Sequence, residues 1–284
     1  MSKSILITGA NGQLGNAIRR IAVERSDMEF YFTDIEDIDL CDKAQISGFV
    51  ASRNIGYILN CAAYTAVDRA EDEPELCMRV NRDAVQNVGE VANAHNIKVI
   101  HISTDYVFDG SGKRPYREDD KPNPQSVYGK SKLEGEKALL ATCPASVVIR
   151  TAWLYSEYGN NFLKTMLRLG SERPSINVVN DQIGAPTYAG DLAEAMLRIV
   201  ESPVFIAGIF HYSNEGVCSW YDFAVRIMQM ANLQCVVDPI TTAEYPTRAK
   251  RPSYSVLSKE KIKQTYGVDV PAWETSLATA IKRL

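Results

Sequence analysis

Tyr128 and Lys132 stand four residues apart in the run Tyr128-Gly129-Lys130-Ser131-Lys132. On a helix, positions i and i+4 share a face, so the phenol and the amine would lie together. Pro124 and Ser126, just upstream, are helix-start signals. Earlier in the chain an apolar run, residues 98–103, ends at Ser103-Thr104. Carbonyl reduction uses these three residue types. Hydride delivered to a ketone leaves an alkoxide, and a proton must follow. A tyrosine can donate it, but its ordinary pKa is about 10, and a neighbouring ammonium lowers that value by stabilising the phenolate. A threonine hydroxyl can hydrogen-bond the carbonyl oxygen and orient it. Alone, the Tyr-Lys spacing is a common accident of helix surfaces, and it gains meaning from its company.

That company begins at Gly9-Ala10-Asn11-Gly12-Gln13-Leu14-Gly15, a GxxGxxG run between an apolar strand-like segment, 4–8, and a helix-like one, 12–25. Gly9 suits a tight turn. Gly12 leaves room for a pyrophosphate at the helix N-terminus, where free N–H groups attract anions. Gly15 is expected to let the helix pack close to the strand. Asp34 ends the next strand, and its carboxylate can accept hydrogen bonds from a ribose diol. Such an acid repels a 2′-phosphate and favours NADH, while Thr33 beside it can bond one, so NADPH and NADH both stay open.

The elements that would position these groups alternate. Strand-like segments 4–8, 29–33, 57–61, 98–103 and 146–150 are separated by helix-like segments 12–25, 44–52, 74–95 and 126–140. That order predicts βαβ units on a parallel sheet with both faces covered. The expected class is α/β, a doubly wound parallel sheet (Rossmann) with a smaller C-terminal substrate-binding domain. The expected division is 1–150 for nucleotide binding and 151–284 for substrate, with a later strand and helix, about 176–200, free to rejoin the sheet. In the second half, 161–169, 189–199, 219–231 and the stretch from Trp273 onward look helical. Residues 176–179 and 209–212 look like strands, and 241–255 reads as an ordered loop.

Composition sets outer bounds. The 284 residues are 45% hydrophobic and carry a net charge of −4, which disfavours a nucleic-acid coat. No run of 18 apolar residues is present, so no membrane span is expected. The first ten residues do not have the pattern of a signal peptide. Six cysteines include no CxxC pair, and only three histidines occur. No metal site is expected, and the cysteines read as reduced residues of a cytoplasmic protein.

Longer stretches carry a resemblance. ITGANGQLG (7–15), NCAAYTAVDRAEDEPE (60–75), ISTDYVFDG (102–110), YGKSKLEGE (128–136), RTAWLY (150–155), GAPT (184–187) and YPTRAKRP (245–252) are similar to the extended short-chain dehydrogenase/reductase superfamily. Within it they resemble the dTDP-4-dehydrorhamnose reductase family, over nearly the whole chain. The resemblance implies reduction of the C4 ketone of dTDP-4-dehydro-L-rhamnose to dTDP-L-rhamnose by NADPH or NADH. It implies Tyr128 as proton donor, Lys132 as the residue that holds the nicotinamide ribose and tunes Tyr128, and Thr104 at the keto oxygen. The loop residues Gly9, Asn11, Gly12, Gln13, Leu14 and Gly15 would hold the cofactor. So would Asp34, Asp39 and Leu40, the last two against the adenine, and Ala62, Ala63 and Tyr64 after the third strand. Thr65 and Val67 would lie near the nicotinamide or sugar, Asn81 near the site, and Tyr106 and Trp153 beside the sugar. Arg248, Lys250 and Arg251 offer a basic group for the substrate diphosphate, Arg251 foremost. The run Asp68, Glu71, Asp72, Glu73 and Glu75 reads as a solvated helix start.

Some members bridge a dimer through magnesium-binding glutamates. Here Asn16-Ala17 and Tyr188-Ala189-Gly190 stand at those places, so a monomer or weak homodimer is expected. Another nucleotide-sugar ketoreductase or epimerase shares much of this pattern. So does a noncatalytic regulatory subunit like the β subunit of methionine adenosyltransferase. The complete Thr104–Tyr128–Lys132 set favours a reductase.

Overall fold

The computed structural model describes residues 3–284. Its centre is a parallel sheet of six strands. The first five are β1 (Lys3–Thr8), β2 (Met28–Thr33), β3 (Tyr57–Asn60), β4 (Lys98–Thr104) and β5 (Ser146–Thr151), and the sixth is Gly208–His211. From one edge to the other the order is β2, β1, β3, β4, β5 and Gly208–His211. The order therefore reverses between β1 and β3, and a doubly wound sheet opens its ligand crevice beyond the strand ends at such a point.

The central strands are apolar on both faces because both are covered. Ile5 and Ile7 face α1 (Gln13–Ala22) and α7 (Ala189–Glu201), in a core with Ile18, Leu192 and Met196. Leu6, Ile58 and Val99 face the other way, toward Val50 of α2 (Lys43–Arg53), Val85 and Val88 of α4 (Ala84–Ala94), and Leu139 of α5 (Val127–Thr142). Alternate residues of one strand thus belong to two different cores, which explains the unbroken hydrophobic runs. A third core, with Tyr155, Leu163, Phe223, Ile227 and Leu277, lies in the C-terminal half.

Three local features differ from the expectations. The strand that rejoins the sheet is Gly208–His211, beside β5, whereas Ser175–Val179 pairs with Val236–Ile240. The latter strand, which contains Pro239, and a short helix at Glu260–Tyr266 lie outside the expected elements; proline is uncommon within a sheet. The helix expected over 74–95 is α3 (Pro74–Met78) and α4 joined by a π turn, Arg79–Asp83. The wider turn carries the fully buried Asn81. Its side chain accepts from the Tyr64 amide at 2.9 Å and donates to the Tyr64 carbonyl at 3.0 Å. Gly135 of α5 lies against the same turn, where a methyl group would overlap the Asn81 carbonyl.

Candidate active site

Beyond the strand ends at the β1–β3 reversal lies a cleft of about 880 Å³. Gly9, Gly12, Gln13 and Leu14 line it from the glycine loop, and Asp34, Asp39 and Leu40 from beyond β2. Ala62, Ala63, Tyr64, Thr65 and Val67 enter from beyond β3, Thr104 from the end of β4, Tyr106 from the turn just after it, and Tyr128 and Lys132 from α5. Trp153 and Arg251 complete it from the second half.

Two loop residues expected to hold the cofactor sit outside the lining. Asn11 is exposed and turns its backbone N–H to Asp34, 2.8 Å away. Gly15 is buried, and its bare Cα lies against the loop's own Ala10, where a Cβ would come within 2.5 Å. Gly15 thus lets the helix pack close to the loop that follows β1, and a second close approach falls in the turn at Gly9. There φ is +64° and a Cβ would stand 2.7 Å from the Ala62 nitrogen, just beyond β3.

The loop fits a dinucleotide pyrophosphate. Gly12 caps α1 without a side-chain hydrogen bond, and no acidic residue occupies the first turn. The first N–H groups of α1 therefore face the cleft unshielded. Asp34 lines the same end, with its carboxylate taking the Asn11 amide and, at 2.9 Å, the Ile35 amide. Gln13 accepts from Ser156 at 3.0 Å and from Asn161 at 2.9 Å, which ties the loop to the second half.

Ser126 caps α5 by accepting from the Gly129 amide at 3.1 Å and sets the phase that turns Tyr128 and Lys132 inward. Lys132 is 2% exposed and donates to the Ile102 carbonyl at 2.7 Å. Burial lowers its ammonium to about 8. The Tyr128 phenol is raised, not lowered as the tyrosine–lysine spacing alone suggests. Burial outweighs the pull of its hydrogen bond with Thr104. Such a phenol keeps its proton at neutral pH, as a proton donor must. Thr104, at the end of β4, accepts from the Tyr106 amide at 3.2 Å and donates to Asp105 at 3.0 Å.

Asp105 was missed by the reading of the sequence, although it directly follows Thr104. It lines the cleft, is 2% exposed, and leaves one carboxylate oxygen without a hydrogen-bond partner. Burial pushes its carboxyl up to about 6. Trp220 was missed too. It lies on the cleft and stacks on Trp153, with ring centroids 3.6 Å apart. Trp153 adopts φ +48°, a left-handed conformation unusual for a non-glycine residue. The ring of Tyr106 meets that of Tyr128 edge to face at 5.6 Å.

The basic cluster divides. Arg251 lines the cleft, donating to Asp68 at 2.6 Å and to the Tyr106 hydroxyl at 3.2 Å. Arg248 lies outside the lining, paired with Asp72, and Lys250 is exposed. The acidic run is therefore more than a solvated helix start. Asp68 and Asp72 fasten the 245–252 segment through Arg251 and Arg248, and Asp68 also accepts the Ala249 amide at 3.1 Å. All six cysteines are free. Among the described residues no cluster of three His, Cys, Asp or Glu could hold a metal, and no helix is long and apolar enough to cross a membrane.

The chain is similar to known proteins over nearly its whole length. The dTDP-4-dehydrorhamnose reductase of Aggregatibacter actinomycetemcomitans is 44% identical over 283 residues, covering 96% of each chain. A crystal structure of a dTDP-4-dehydrorhamnose reductase from Clostridium acetobutylicum superposes with TM-score 0.95 at 42% identity, covering 99% of both chains. The Bacillus anthracis dTDP-4-dehydrorhamnose reductase, solved in complex with NADP, superposes with TM-score 0.96 at 37% identity over 100% of both. The RmlD substrate binding domain model matches residues 3–284, and the chain belongs to that family.

Proposed function

We propose that the protein reduces the C4 ketone of dTDP-4-dehydro-L-rhamnose to dTDP-L-rhamnose with NADPH or NADH, as a cytoplasmic enzyme of dTDP-rhamnose biosynthesis. The observation that carries the reading is the convergence of Thr104, Tyr128 and Lys132 on the cleft that the glycine loop lines. When bound, the reduced nicotinamide supplies the hydride. The remaining work belongs to side chains of this protein. The Thr104 hydroxyl would turn its one hydrogen from Asp105 to hold the keto oxygen, and Tyr128 delivers the proton held on its Oη to the oxygen that becomes the new hydroxyl. The Lys132 ammonium binds the ribose and supports the phenolate left behind.

The residues of the loop, with Asp34, Asp39, Leu40, Ala62, Ala63 and Tyr64, form the cofactor half of the cleft. Val67, Tyr106, Trp153 and Arg251 form the sugar-nucleotide half. The division of labour follows the chain, with residues 1–150 for the dinucleotide and 151–284 for the substrate. The exceptions are Val67, Thr104 and Tyr106, which serve the substrate from the first part, and α7 and the strand Gly208–His211, which return to the sheet from the second. Arginine forks match phosphate oxygens, so Arg251 would exchange Asp68 for the substrate diphosphate. A monomer or weak homodimer fits the sequence, because Asn16-Ala17 and Tyr188-Ala189-Gly190 stand where a magnesium-bridged dimer would place glutamates.

The test is direct. Purified protein with NADPH or NADH and dTDP-4-dehydro-L-rhamnose should consume the reduced cofactor and yield dTDP-L-rhamnose. Net consumption separates a reductase from an epimerase, which must return its hydride. No turnover with either cofactor would reject the assignment.

A further inference from the structure

One rung of the sheet is polar where its neighbours are apolar. Thr8, Asn60 and His101 are register partners on β1, β3 and β4, and so present side chains to the same face. They are 2%, 1% and 0% exposed. The preceding rung is Ile7, Leu59 and Ile100. Thr8 Oγ1 lies 2.7 Å from Asn60 Oδ1, Asn60 Nδ2 lies 3.1 Å from His101 Nδ1, and His101 Nε2 lies 3.4 Å from Lys132 Nζ. Burying three polar side chains costs free energy that an aliphatic rung would not, unless each finds its partner. Here they form one line that ends on Lys132.

The donor count gives the line a direction. An ammonium has three N–H groups. The Ile102 carbonyl takes one. An imidazole nitrogen at Nε2 can take a second, which leaves one for the cleft. A ring that accepts at Nε2 carries its hydrogen at Nδ1, and the Asn60 amide accepts that hydrogen when it presents its oxygen to the ring and its NH2 to Thr8. The two orientations of such an amide are fixed only by the network around it. The opposite orientation, the one placed here with Oδ1 on Thr8 and Nδ2 on the ring, would put a hydrogen on Nε2, facing Lys132, and would suit a neutral amine. The groups facing Lys132 are His101 on β4, Glu136 one turn along α5, Cys61 beyond β3 and Cys77 on α3. Glu136 is already taken up by Arg150 and Ser103. Burial beside Lys132 holds the imidazole well below its usual range, so it stays neutral while the amine titrates.

We propose that His101 is a positioning residue. As a neutral acceptor at Nε2 it keeps Lys132 charged and aims the remaining N–H of the amine into the cleft, with Asn60 and Thr8 fixing the ring tautomer. The inference rests on the assignment of Lys132 to the cofactor ribose. Its first readout needs no cofactor: the titration of Lys132 in the free protein, followed by NMR of 13C-labelled lysine and assigned by the signal lost in Lys132→Met. Losing an acceptor disfavours the ammonium, so His101→Leu should move this titration to lower pH by about one unit. His101→Gln, which retains an acceptor, should largely restore it. NADPH affinity of His101→Leu should fall up to about tenfold at pH 8.5 and hold at pH 6.5. A purely structural role would lower thermal stability and leave the Lys132 titration in place, and that result, or a shift to higher pH, overturns the proposal. If His101→Leu does not fold, Asn60→Leu reads the same titration, with a smaller shift to lower pH expected and no shift overturning the idea. Failure of the unmodified protein to bind either NADPH or NADH would reject the proposed function and leave the titration result standing on its own.

Discussion

Replacing Asp105 by asparagine should change how the stability of this protein responds to pH. The side chain is 2% exposed, and one of its oxygens has no hydrogen-bond partner. Burial raises the carboxyl from 3.8 to about 6, against hydrogen bonds from Ser255 and Thr104 that pull it down. An acid whose folded value lies above its unfolded value opposes folding as it ionises. Below about pH 4 both states hold the proton and nothing is lost. Between about pH 4 and 6 the unfolded chain releases its proton first, and above that range the whole penalty stands. A shift of about two units corresponds to roughly 3 kcal/mol, of which about half has developed by pH 5. Urea unfolding at pH 5 and at pH 8 isolates the remainder. Asparagine does not titrate, so the stability of Asp105→Asn relative to the unmodified protein should improve by about 1.5 kcal/mol from pH 5 to pH 8. Any fixed cost of placing an amide there cancels in the comparison. In thermal melts the same change is about 3–6 °C. Parallel pH curves for the two proteins would refute the reasoning, because they would mean that Asp105 ionises as readily folded as unfolded.

Four further substitutions probe other parts of the molecule. Tyr128→Phe removes the proton donor alone, so NADPH affinity should hold while turnover falls by about 10²–10⁴; an equal loss of affinity, measured by cofactor fluorescence, would mean the role is misassigned. Gly12→Val and Gly15→Val should separate binding from folding. A Cβ at Gly12 meets only the Gly9 carbonyl, at 3.2 Å, whereas one at Gly15 overlaps Ala10. The first variant should melt near the unmodified protein and lose NADPH binding, the second should lose stability by at least about 1–3 kcal/mol, and normal affinity in Gly12→Val would remove the pyrophosphate cradle. Glu136→Gln strands Arg150 in a buried pair where each side chain is only 2% exposed and one guanidinium nitrogen already lacks a partner. Urea titration should show a loss of about 3–5 kcal/mol, and a loss under 1 kcal/mol would mean that water reaches the pair.

The sequence by itself determined the features that depend on near neighbours. Alternating apolar runs and helical periods gave the parallel sheet, because strand and helix patterns are written within ten or so residues. The glycine run and the Tyr128–Lys132 spacing were legible for the same reason, as was the helix start at Ser126. The tertiary structure decided what depends on partners far along the chain. Asn60 and His101 are 41 residues apart and meet only through strand register. Arg251 and Asp68 are 183 apart, and nothing local could tell that Arg251 would reach the cleft while Arg248 would pair with Asp72. Neither the stacking of Trp153 on Trp220 nor the buried orphan oxygen of Asp105 has a local signature. Proton affinity follows burial and neighbours, and those are properties of the packed molecule. Spacing alone therefore pointed to a phenol lowered by a lysine, where packing produced one raised by its surroundings.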